Sequence, residues 1–251
     1  MSASLEVRNL CKRYPTFTLQ DVSFSIPQGA VMGLIGRNGA GKSTTLKSLL
    51  GLVHPDGGEV RVFGKDFREN EQACKEKLGV VLGGIDFYQK KKVKTITDVT
   101  RRFYAAWDEE KYRHYLQLFG IDEEKRVDQL SSGMKVKYLI ALALSHNAEL
   151  LILDEPTSGL DPVSRDDLTE LFRALVADGK RSILFSTHIT TDLDKCATHI
   201  TYIRDGKVEA SGEKAAFMAS FDHLRQEGEV LTLEDIMVRT ERRGYDESAF
   251  A

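Results

Sequence analysis

The chain has 251 residues, of which 41% are apolar and 29% are charged, and its formal net charge is −3. These values are typical of a globular protein with one sizeable core, or with one core and a smaller lobe. They exclude a general electrostatic affinity for nucleic acid or anionic lipid, because there is no excess of positive charge.

No stretch of the sequence has the length and apolar character of a membrane span. Residues 1–13 lack the apolar run of a signal peptide. The longest apolar runs, at 139–144 and 150–153, fall far short of the roughly 18 residues that cross a bilayer. The three cysteines are widely separated and without metal-ligand spacing, so we expect free thiols. A membrane role therefore requires a partner that supplies the membrane part.

The first part of the chain is predicted to be β structure. Residues 5–8 are a short strand candidate, and residues 19–26 alternate apolar and polar side chains as a half-buried strand does. After a turn at 27–29, an apolar run at 30–35 leads into a glycine-rich loop, and residues 42–52 have helical character. Strand, loop and helix in this order indicate a phosphate-binding unit of an α/β fold.

The middle of the chain is predicted to be a helical lobe. Strand signals are few from about residue 95 to 147, where apolar residues at 136, 139, 140, 143 and 144 follow one face of a helix. Strands resume at 150–153 and 182–185 with helical residues 166–177 between them, which is a parallel βαβ pattern. The sequence thus predicts an α/β core that is interrupted by helices.

The end of the chain is predicted to contain a hairpin and a short helical extension. Strands at 201–203 and 207–210 flank Asp205-Gly206, a good turn sequence. The tail from Gly212 is predicted to form two short helices. Thr232, with Asp235 three residues later, is a candidate cap for the second.

One glycine-rich segment fits the pattern G-x-x-x-x-G-K-[ST] and continues into a further hydroxyl residue. Its residues are Gly36, Arg37, Asn38, Gly39, Ala40, Gly41, Lys42, Ser43 and Thr44. Glycines let backbone N–H groups surround phosphate oxygens, and the following helix adds its positive dipole end. Lys42 is expected to reach the β- and γ-phosphates, and Ser43 to bind Mg²⁺. A turn that binds nothing is disfavoured because the motif lies between a strand and a helix.

Two acids follow the apolar run at 150–153. We expect this strand to deliver Asp154 to the metal and Glu155 to the attacking water as a general base. Alone, the pattern is more typical of a core strand before two solvated acids, but the phosphate loop upstream favours the functional interpretation. His188 follows the run at 182–185 and is predicted to hold phosphate and water in line.

Three further motifs resemble those of the ABC-type ATPases. Leu130-Ser131-Ser132-Gly133-Met134 resembles the family signature, usually LSGGQ, and Ser158-Gly159-Leu160-Asp161 resembles the D-loop. Tyr14 resembles the aromatic residue that stacks on adenine. The resemblance covers residues 4–211 and implies a P-loop NTPase (RecA-like) core, an N-terminal antiparallel β subdomain and an inserted α-helical subdomain at about 85–148. The ATPase domain would span residues 1–211, with a helical extension at 212–251.

The resemblance also implies a head-to-tail dimer with two ATP molecules between the subunits and Mg²⁺ as the metal. The phosphate loop of one subunit would face Ser131, Ser132 and Gly133 of the other, with Asp161 also at the nucleotide. The residues agree with this arrangement, because the helix predicted from Lys135 has an N-terminus that forms a second anion site without its own lysine. ATP would then join the subunits, and its hydrolysis would release them.

The chain departs from the family pattern at three points. Ser132 replaces a usual glycine and Met134 a usual glutamine, and Gly83-Gly84 stands where a glutamine normally follows the strand at 78–82. In the family, that glutamine affects the rate of ATP turnover and the coupling of the ATPase to the membrane partner. We still expect hydrolysis, because the other reactive residues are all present: Lys42, Ser43, Asp154, Glu155 and His188.

The resemblance implies the energy subunit of a membrane transporter, similar to the ATPases of exporters with separate membrane subunits. The expected partners are transmembrane permease subunits, bound through the helical lobe and the segment at 83–94, and a second ATPase subunit, identical or different. The expected location is the cytoplasmic face of the membrane, with no nucleic acid bound. The alternatives are a soluble ABC-type ATPase that acts on ribosomes, DNA or iron–sulfur assembly, and a nucleotide sensor with little turnover.

Overall fold

The structure, a computed structural model, describes residues 2–82 and 88–241. Within these ranges the chain forms ten strands and nine α-helices, which are, in chain order, β1 (Ala3–Tyr14), β2 (Phe17–Pro27), β3 (Val31–Ile35), α1 (Lys42–Leu49), β4 (Gly57–Val62), β5 (Lys65–Asp66), α2 (Glu71–Lys75), β6 (Leu78–Val81), α3 (Val93–Thr100), α4 (Glu109–Leu118), α5 (Ser132–Ser145), β7 (Leu150–Asp154), α6 (Pro162–Val176), β8 (Ser182–Thr187), α7 (Thr190–Cys196), β9 (His199–Arg204), β10 (Lys207–Glu213), α8 (Lys214–Ser220) and α9 (Leu233–Glu241). None of these helices is long and apolar enough to cross a membrane.

A six-stranded sheet in the order β10-β9-β3-β8-β7-β6 forms the centre of the molecule. The strands from β9 to β6 are parallel, and β10 returns antiparallel to β9. All five residues of β3 are buried, because helices and a second sheet cover the two faces. Parallel pairing brings the carboxyl ends of β3, β7 and β8 to one edge of the sheet, where the predicted site residues follow.

A second, antiparallel sheet in the order β2-β1-β4-β5 packs on one side of this centre. Val22, Phe24 and Ile26 of β2 are buried, whereas the residues between them are exposed, as the alternating sequence predicts. They share one hydrophobic core with α1 and with the inner strands of the parallel sheet.

The helical lobe has a core of its own, formed by α3, α4 and α5. Within it Thr97 Oγ1 lies 2.9 Å from Tyr112 Oη and 2.8 Å from Tyr138 Oη, so the buried hydroxyl groups satisfy one another. The other face of α5, with Ile140 and Leu144, packs in the core that covers the parallel sheet. Helix α5 therefore joins the lobe to the core of the parallel sheet, and Tyr115 of α4 packs against both cores.

The fold class predicted from the sequence is confirmed, although several element boundaries differ. The predicted helix at 42–52 ends at Leu49, and the predicted helix at 166–177 begins earlier, at Pro162. The short strand predicted at 5–8 is part of the twelve-residue β1. The two tail helices are present, and Thr232 and Asp235 cap each other through N–H···O bonds of 3.0 and 3.1 Å. The subdomain boundaries at 85–148 and 212–251 stay a prediction.

A tight contact between β6 and α5 gives a stability test of this packing. A Cβ atom on Gly79 would lie 2.4 Å from Leu151 Cδ2 and 2.5 Å from Ala143 Cβ. We expect Gly79→Ala to lower the free energy of unfolding by about 1–3 kcal/mol through overpacking, as measured by urea denaturation. Gly212→Ala is the matched control, because no atom lies within 4 Å of its added Cβ. Equal stability of the two variants would show that this packing is wrong.

Candidate functional site

The phosphate loop connects β3 to α1 and closes tightly around two of its glycines. Gly36 and Gly41 have φ angles of +151° and +115°. A Cβ atom on Gly36 would lie 2.2 Å from the Ile203 carbonyl oxygen, and one on Gly41 would lie 2.9 Å from the ring of Phe17. Only glycine fits these two positions, so the loop has the compact turn before a helix N-terminus that anion binding requires.

Lys42 is nearly desolvated at the base of this loop, with an exposed fraction of 6%. Its Nζ donates to the Gly36 carbonyl oxygen at 2.7 Å and lies 3.5 Å from Glu155 Oε1. A buried ammonium group needs such partners, because leaving it unpaired is costly. Phosphate oxygens are chemically suited to replace them, so Lys42 is positioned to exchange these contacts for an anion.

Asp154 ends β7 directly beside the phosphate loop. Its Oδ1 accepts hydrogen bonds from Ser43 Oγ at 3.2 Å and from Ser186 Oγ at 2.5 Å. The second contact follows from the sheet register, in which Asp154 on β7 pairs with Ser186 on β8. The carboxylate is therefore fixed between the first turn of α1 and the neighbouring strand.

Glu155 takes a left-handed backbone conformation, with φ of +49°, immediately after β7. Its N–H donates to Ser186 Oγ at 3.0 Å and lies 3.1 Å from the Ser186 carbonyl oxygen. Positive φ is uncommon for a residue other than glycine and persists only where neighbours hold it. The carboxylate lies between Lys42 and His188, whose Nδ1 is 2.8 Å from Glu155 Oε2.

An open cavity of about 830 Å³ lies in front of the loop. This volume is in the range of small-molecule sites. Tyr14 lines one end, 37% exposed, and the remaining walls come from the phosphate loop and the residues after β7 and β8. The lining residues are Tyr14, Pro15, Thr16, Phe17, Arg37, Asn38, Gly39, Gly41, Lys42, Ser43, Thr44, Glu155, Ser158 and His188. The predicted site residues that do not line this cavity are Gly36, Ala40, Asp154, Asp161 and the signature residues Ser131, Ser132 and Gly133.

The signature residues do not line this cavity. Ser131 caps the N-terminus of α5, where its Oγ accepts a hydrogen bond from the Met134 N–H at 3.2 Å. Ser131 and Ser132 are exposed, and Gly133 is buried. The described chain thus has two separate features: the phosphate loop with its cavity, and the exposed N-terminus of α5, which does not line that cavity.

Asp161 acts locally as the N-cap of α6. Its Oδ1 accepts from the N–H groups of Val163 and Ser164, both at 3.0 Å, and its Oδ2 accepts from Ser164 Oγ at 2.6 Å. The side-chain and backbone hydrogen bonds from Ser164 hold the pKa of Asp161 below its usual value. Its contact with nucleotide stays a prediction. Gly83-Gly84, where the family glutamine is missing, lies outside the described residues.

Comparisons with known proteins agree with this geometry. The ABC transporter family profile matches residues 19–158, which is more than half of the chain. The bacitracin transport ATP-binding protein BcrA of Bacillus licheniformis is 31% identical over 90% of this chain and 72% of its own length. The Nod factor export ATP-binding protein I of Burkholderia orbicola is 34% identical over 87% of this chain and 73% of its own length.

The chain belongs to the ABC transporter ATP-binding proteins. A solved ATP-binding subunit of an ABC transporter has a TM-score of 0.82 and 26% identity, and covers 95% of this chain and 99% of that one. A nucleotide-free ATP-binding cassette has a TM-score of 0.73 at 23% identity, covering 88% of this chain and 94% of that one, and shows the same fold. This ABC subunit therefore binds and hydrolyses ATP to power transport, as the sequence predicts.

Ser186 is a site residue that the sequence argument missed in the ABC subunit. Its hydroxyl donates to Asp154 and accepts from the Glu155 N–H, so one side chain holds both acids. The sequence gives only a serine near a strand end, two residues before His188, and serine is common there for many reasons. Its role becomes visible only when the register of β7 and β8 is known.

Removing this hydroxyl should lower ATP turnover without unfolding the protein. We expect Ser186→Ala to lower kcat/KM at limiting Mg²⁺ by about 10–100-fold, because Asp154 is the predicted Mg²⁺ ligand and removing a hydrogen bond to such a ligand usually has this effect. Steady-state ATPase assays over a Mg²⁺ series test this. Ser182→Ala removes another buried hydroxyl of β8, which contacts Ser4 and the Gly29 N–H, and should leave kcat/KM nearly unchanged. Similar losses in both variants would contradict a specific role for Ser186.

Proposed function

We propose that this ABC subunit drives an exporter by closing head to tail with a second ATPase subunit around two MgATP molecules. The observation that carries the proposal is the separation, on one chain, of a phosphate-loop cavity from the exposed helix N-terminus at Ser131 and Ser132. A second subunit that places this N-terminus over the cavity would complete the anion site. The relatives that serve bacitracin transport and Nod factor export support a role in transport, and the second supports export.

ATP would be held along the cavity from the ring of Tyr14 to Lys42. Tyr14 is exposed enough to stack on adenine. The loop from Gly36 to Thr44 offers backbone N–H groups to the phosphates, and Lys42 is buried at its base. Nucleotide phosphate would replace the contacts of Lys42 with the Gly36 carbonyl and with Glu155. Replacement of the second contact would free the Glu155 carboxylate for chemistry.

The donor set beside the loop fits Mg²⁺. Ser43 Oγ and Asp154 Oδ1 are 3.2 Å apart, both are oxygen ligands, and the described residues hold no cluster of three or more His, Cys, Asp or Glu suited to a metal. Mg²⁺ characteristically uses one or two protein oxygens together with phosphates and water. When bound, it supplies positive charge that stabilises the phosphoryl oxygens. Ser43 and Asp154 are the residues that would hold it.

Glu155 is placed to accept the proton of the attacking water. The water oxygen forms a bond to the γ-phosphorus, the bond from that phosphorus to the bridging oxygen breaks, and ADP departs with the electron pair. Glu155 takes the proton, and His188, 2.8 Å from Glu155, orients this carboxylate and the water. Ser131, Ser132 and Gly133 of the second subunit would stabilise the charge on the γ-phosphate, with Asp161 beside them.

The helical lobe offers a surface for a cytoplasmic helix of a transmembrane permease. A cavity of about 170 Å³ lies between α3, α5 and β6, and Tyr104 and His146 are among its lining residues. Tyr104 also lines a second, open cavity of about 540 Å³ together with Phe103, which is 77% exposed; Val99 of α3 is 52% exposed. Exposed apolar groups next to a cavity are typical of an interaction site. Such a contact would place the subunit at the cytoplasmic face of the membrane, with no nucleic acid involved.

The carboxylate of Glu155 gives the direct test of this mechanism. We expect Glu155→Gln to lower kcat for MgATP hydrolysis by about 10²–10⁴-fold, since general-base catalysis contributes that much. The variant should keep ATP affinity and form a stable dimer with ATP, measured by light scattering. Glu149→Gln is the matched control, because Glu149 pairs with Lys77 at the far end of β7.

Two results would contradict the proposal. Full activity of Glu155→Gln would remove the assigned base. Wild-type protein that binds ATP without hydrolysis or dimerisation, across a protein concentration series, would favour a nucleotide sensor or a requirement for a different ATPase partner.

The permease surface is tested separately in cells that contain the native transporter. We expect Phe103→Glu to reduce the membrane-bound fraction, because a buried carboxylate disfavours an apolar contact. The ATPase activity of the purified chain should be retained. Leu118→Glu, on the same lobe and 61% exposed, lines neither the cavity between α3, α5 and β6 nor the one that Phe103 lines, and should stay membrane-bound. Equal membrane fractions for both variants would place the permease contact elsewhere.

A further inference from the structure

The C-terminal helix α9 ends against the phosphate loop. Glu241, its last residue, places Oε2 3.6 Å from Nε of Arg37, the second residue of the loop. The Glu241 side chain is only 12% exposed, whereas that of Arg37 is 51% exposed and lines the nucleotide cavity. A carboxylate from the end of the described chain thus holds a cation at the mouth of the nucleotide site.

The Glu241 carboxylate is itself held in place by β9. Its Oε1 accepts a hydrogen bond from Tyr202 Oη at 3.0 Å. Burial and the Glu241 carboxylate both raise the pKa of Tyr202, so the phenol stays protonated and donates. Tyr202 pairs in the sheet with Ile35, the residue directly before the phosphate loop. The position of Glu241 is therefore fixed relative to the base of that loop.

The rest of α9 is anchored independently of this contact. Leu233 and Ile236 are fully buried in the core, and Arg239 bonds to the Glu229 carboxylate at 2.6 and 2.7 Å. Arg204 of β9 donates to the Thr240 carbonyl oxygen at 3.2 Å, which satisfies one of the last carbonyl groups of the helix. The fold does not need the Arg37 contact in order to place α9.

Arg37 would otherwise be a phosphate-binding group. A guanidinium group recognises phosphate through paired hydrogen bonds, and this side chain extends from a loop that surrounds phosphates. Because Arg37 pairs with a carboxylate outside the phosphate site, its positive charge and its Nε are not available to phosphate. The ion pair therefore opposes an additional contact between the chain and its nucleotide.

We propose that Glu241 is a positioning residue that holds Arg37 away from the phosphates, so that the docked C-terminal helix limits nucleotide affinity. The proposal rests on the assigned role of the phosphate loop. Limiting affinity favours release of ADP after hydrolysis, and movement of α9 would free Arg37 and tighten binding. The position of the C-terminal extension would then change nucleotide affinity although the extension does not contact the nucleotide.

The test is a double-mutant cycle on the full chain, with Kd and dissociation rate of a fluorescent methylanthraniloyl-ADP measured in EDTA at low salt. We expect Glu241→Gln to tighten binding by roughly two- to fivefold, the size of a partly exposed ion-pair effect, and to slow dissociation. Arg37→Gln supplies the background in which Glu241 has no guanidinium group to hold. In the Arg37→Gln background, Glu241→Gln should have no further effect. High salt should reduce the difference between Glu241→Gln and the wild type.

Glu229→Gln is the matched control, because it breaks the ion pair between Glu229 and Arg239 of α9 without touching the loop. An unchanged Kd for Glu241→Gln would overturn the proposal, as would an equal effect in the Arg37→Gln background or in Glu229→Gln. A lower melting temperature of Glu241→Gln with wild-type affinity would mean a structural role only. If the wild type itself did not bind ADP, the assignment of the nucleotide site would be wrong. This result is distinct from a failure of the proposal for Glu241.

Discussion

The buried charge of Lys42 constrains the arrangement of the whole site. Its ammonium group has little water around it and is balanced by the Gly36 carbonyl and the Glu155 carboxylate. Because a desolvated cation must keep partners, an anion that enters the loop has to exchange with them. In the proposed mechanism, binding of phosphate and release of Glu155 are therefore one event. The same charge that would hold the nucleotide also keeps Glu155, the proposed general base, paired until a nucleotide is present.

The geometry that makes this exchange possible comes from parallel strands. β3, β7 and β8 end at one edge of the sheet, so the phosphate loop, the two acids and His188 converge although they are distant in sequence. Ser186 then fixes both acids from the neighbouring strand. Farther out, Arg165 of α6 bonds to Asp192 of α7 at 2.6 Å, which connects the helix capped by Asp161 to the helix that follows His188.

Much of the fold, and many of the candidate site residues, can be predicted from local sequence. The apolar runs before Gly36 and before Asp154 predict buried strands, and the glycine pattern predicts the phosphate loop between β3 and α1. The alternation at Val22, Phe24 and Ile26 predicts the face of β2 correctly. These predictions are correct because each depends on residues that are adjacent along the chain.

The features that the sequence did not predict depend on pairing between distant segments. β4 and β5 are short and rich in charged and glycine residues, and they become strands because β1 offers an edge to β4 and β4 in turn offers one to β5. The role of Ser186 requires the register of β7 and β8, and the contact between Glu241 and Arg37 requires the path of the last helix. Asp161 is the N-cap of α6, a local role that the family motif does not state, and its contact with nucleotide stays a prediction.

The phosphate loop is supported firmly on one side and open on the other. The β9–β10 hairpin donates from the Gly206 N–H to the Ala40 carbonyl oxygen at 3.0 Å, and the Ile203 carbonyl leaves no room for a side chain on Gly36. The opposite side is the cavity that runs from Tyr14 to His188. The loop is held by the hairpin on one side and faces the cavity on the other. It therefore need not rearrange when a second surface closes over the nucleotide. In the proposed dimer, closure would therefore take place by movement of the subunits relative to each other.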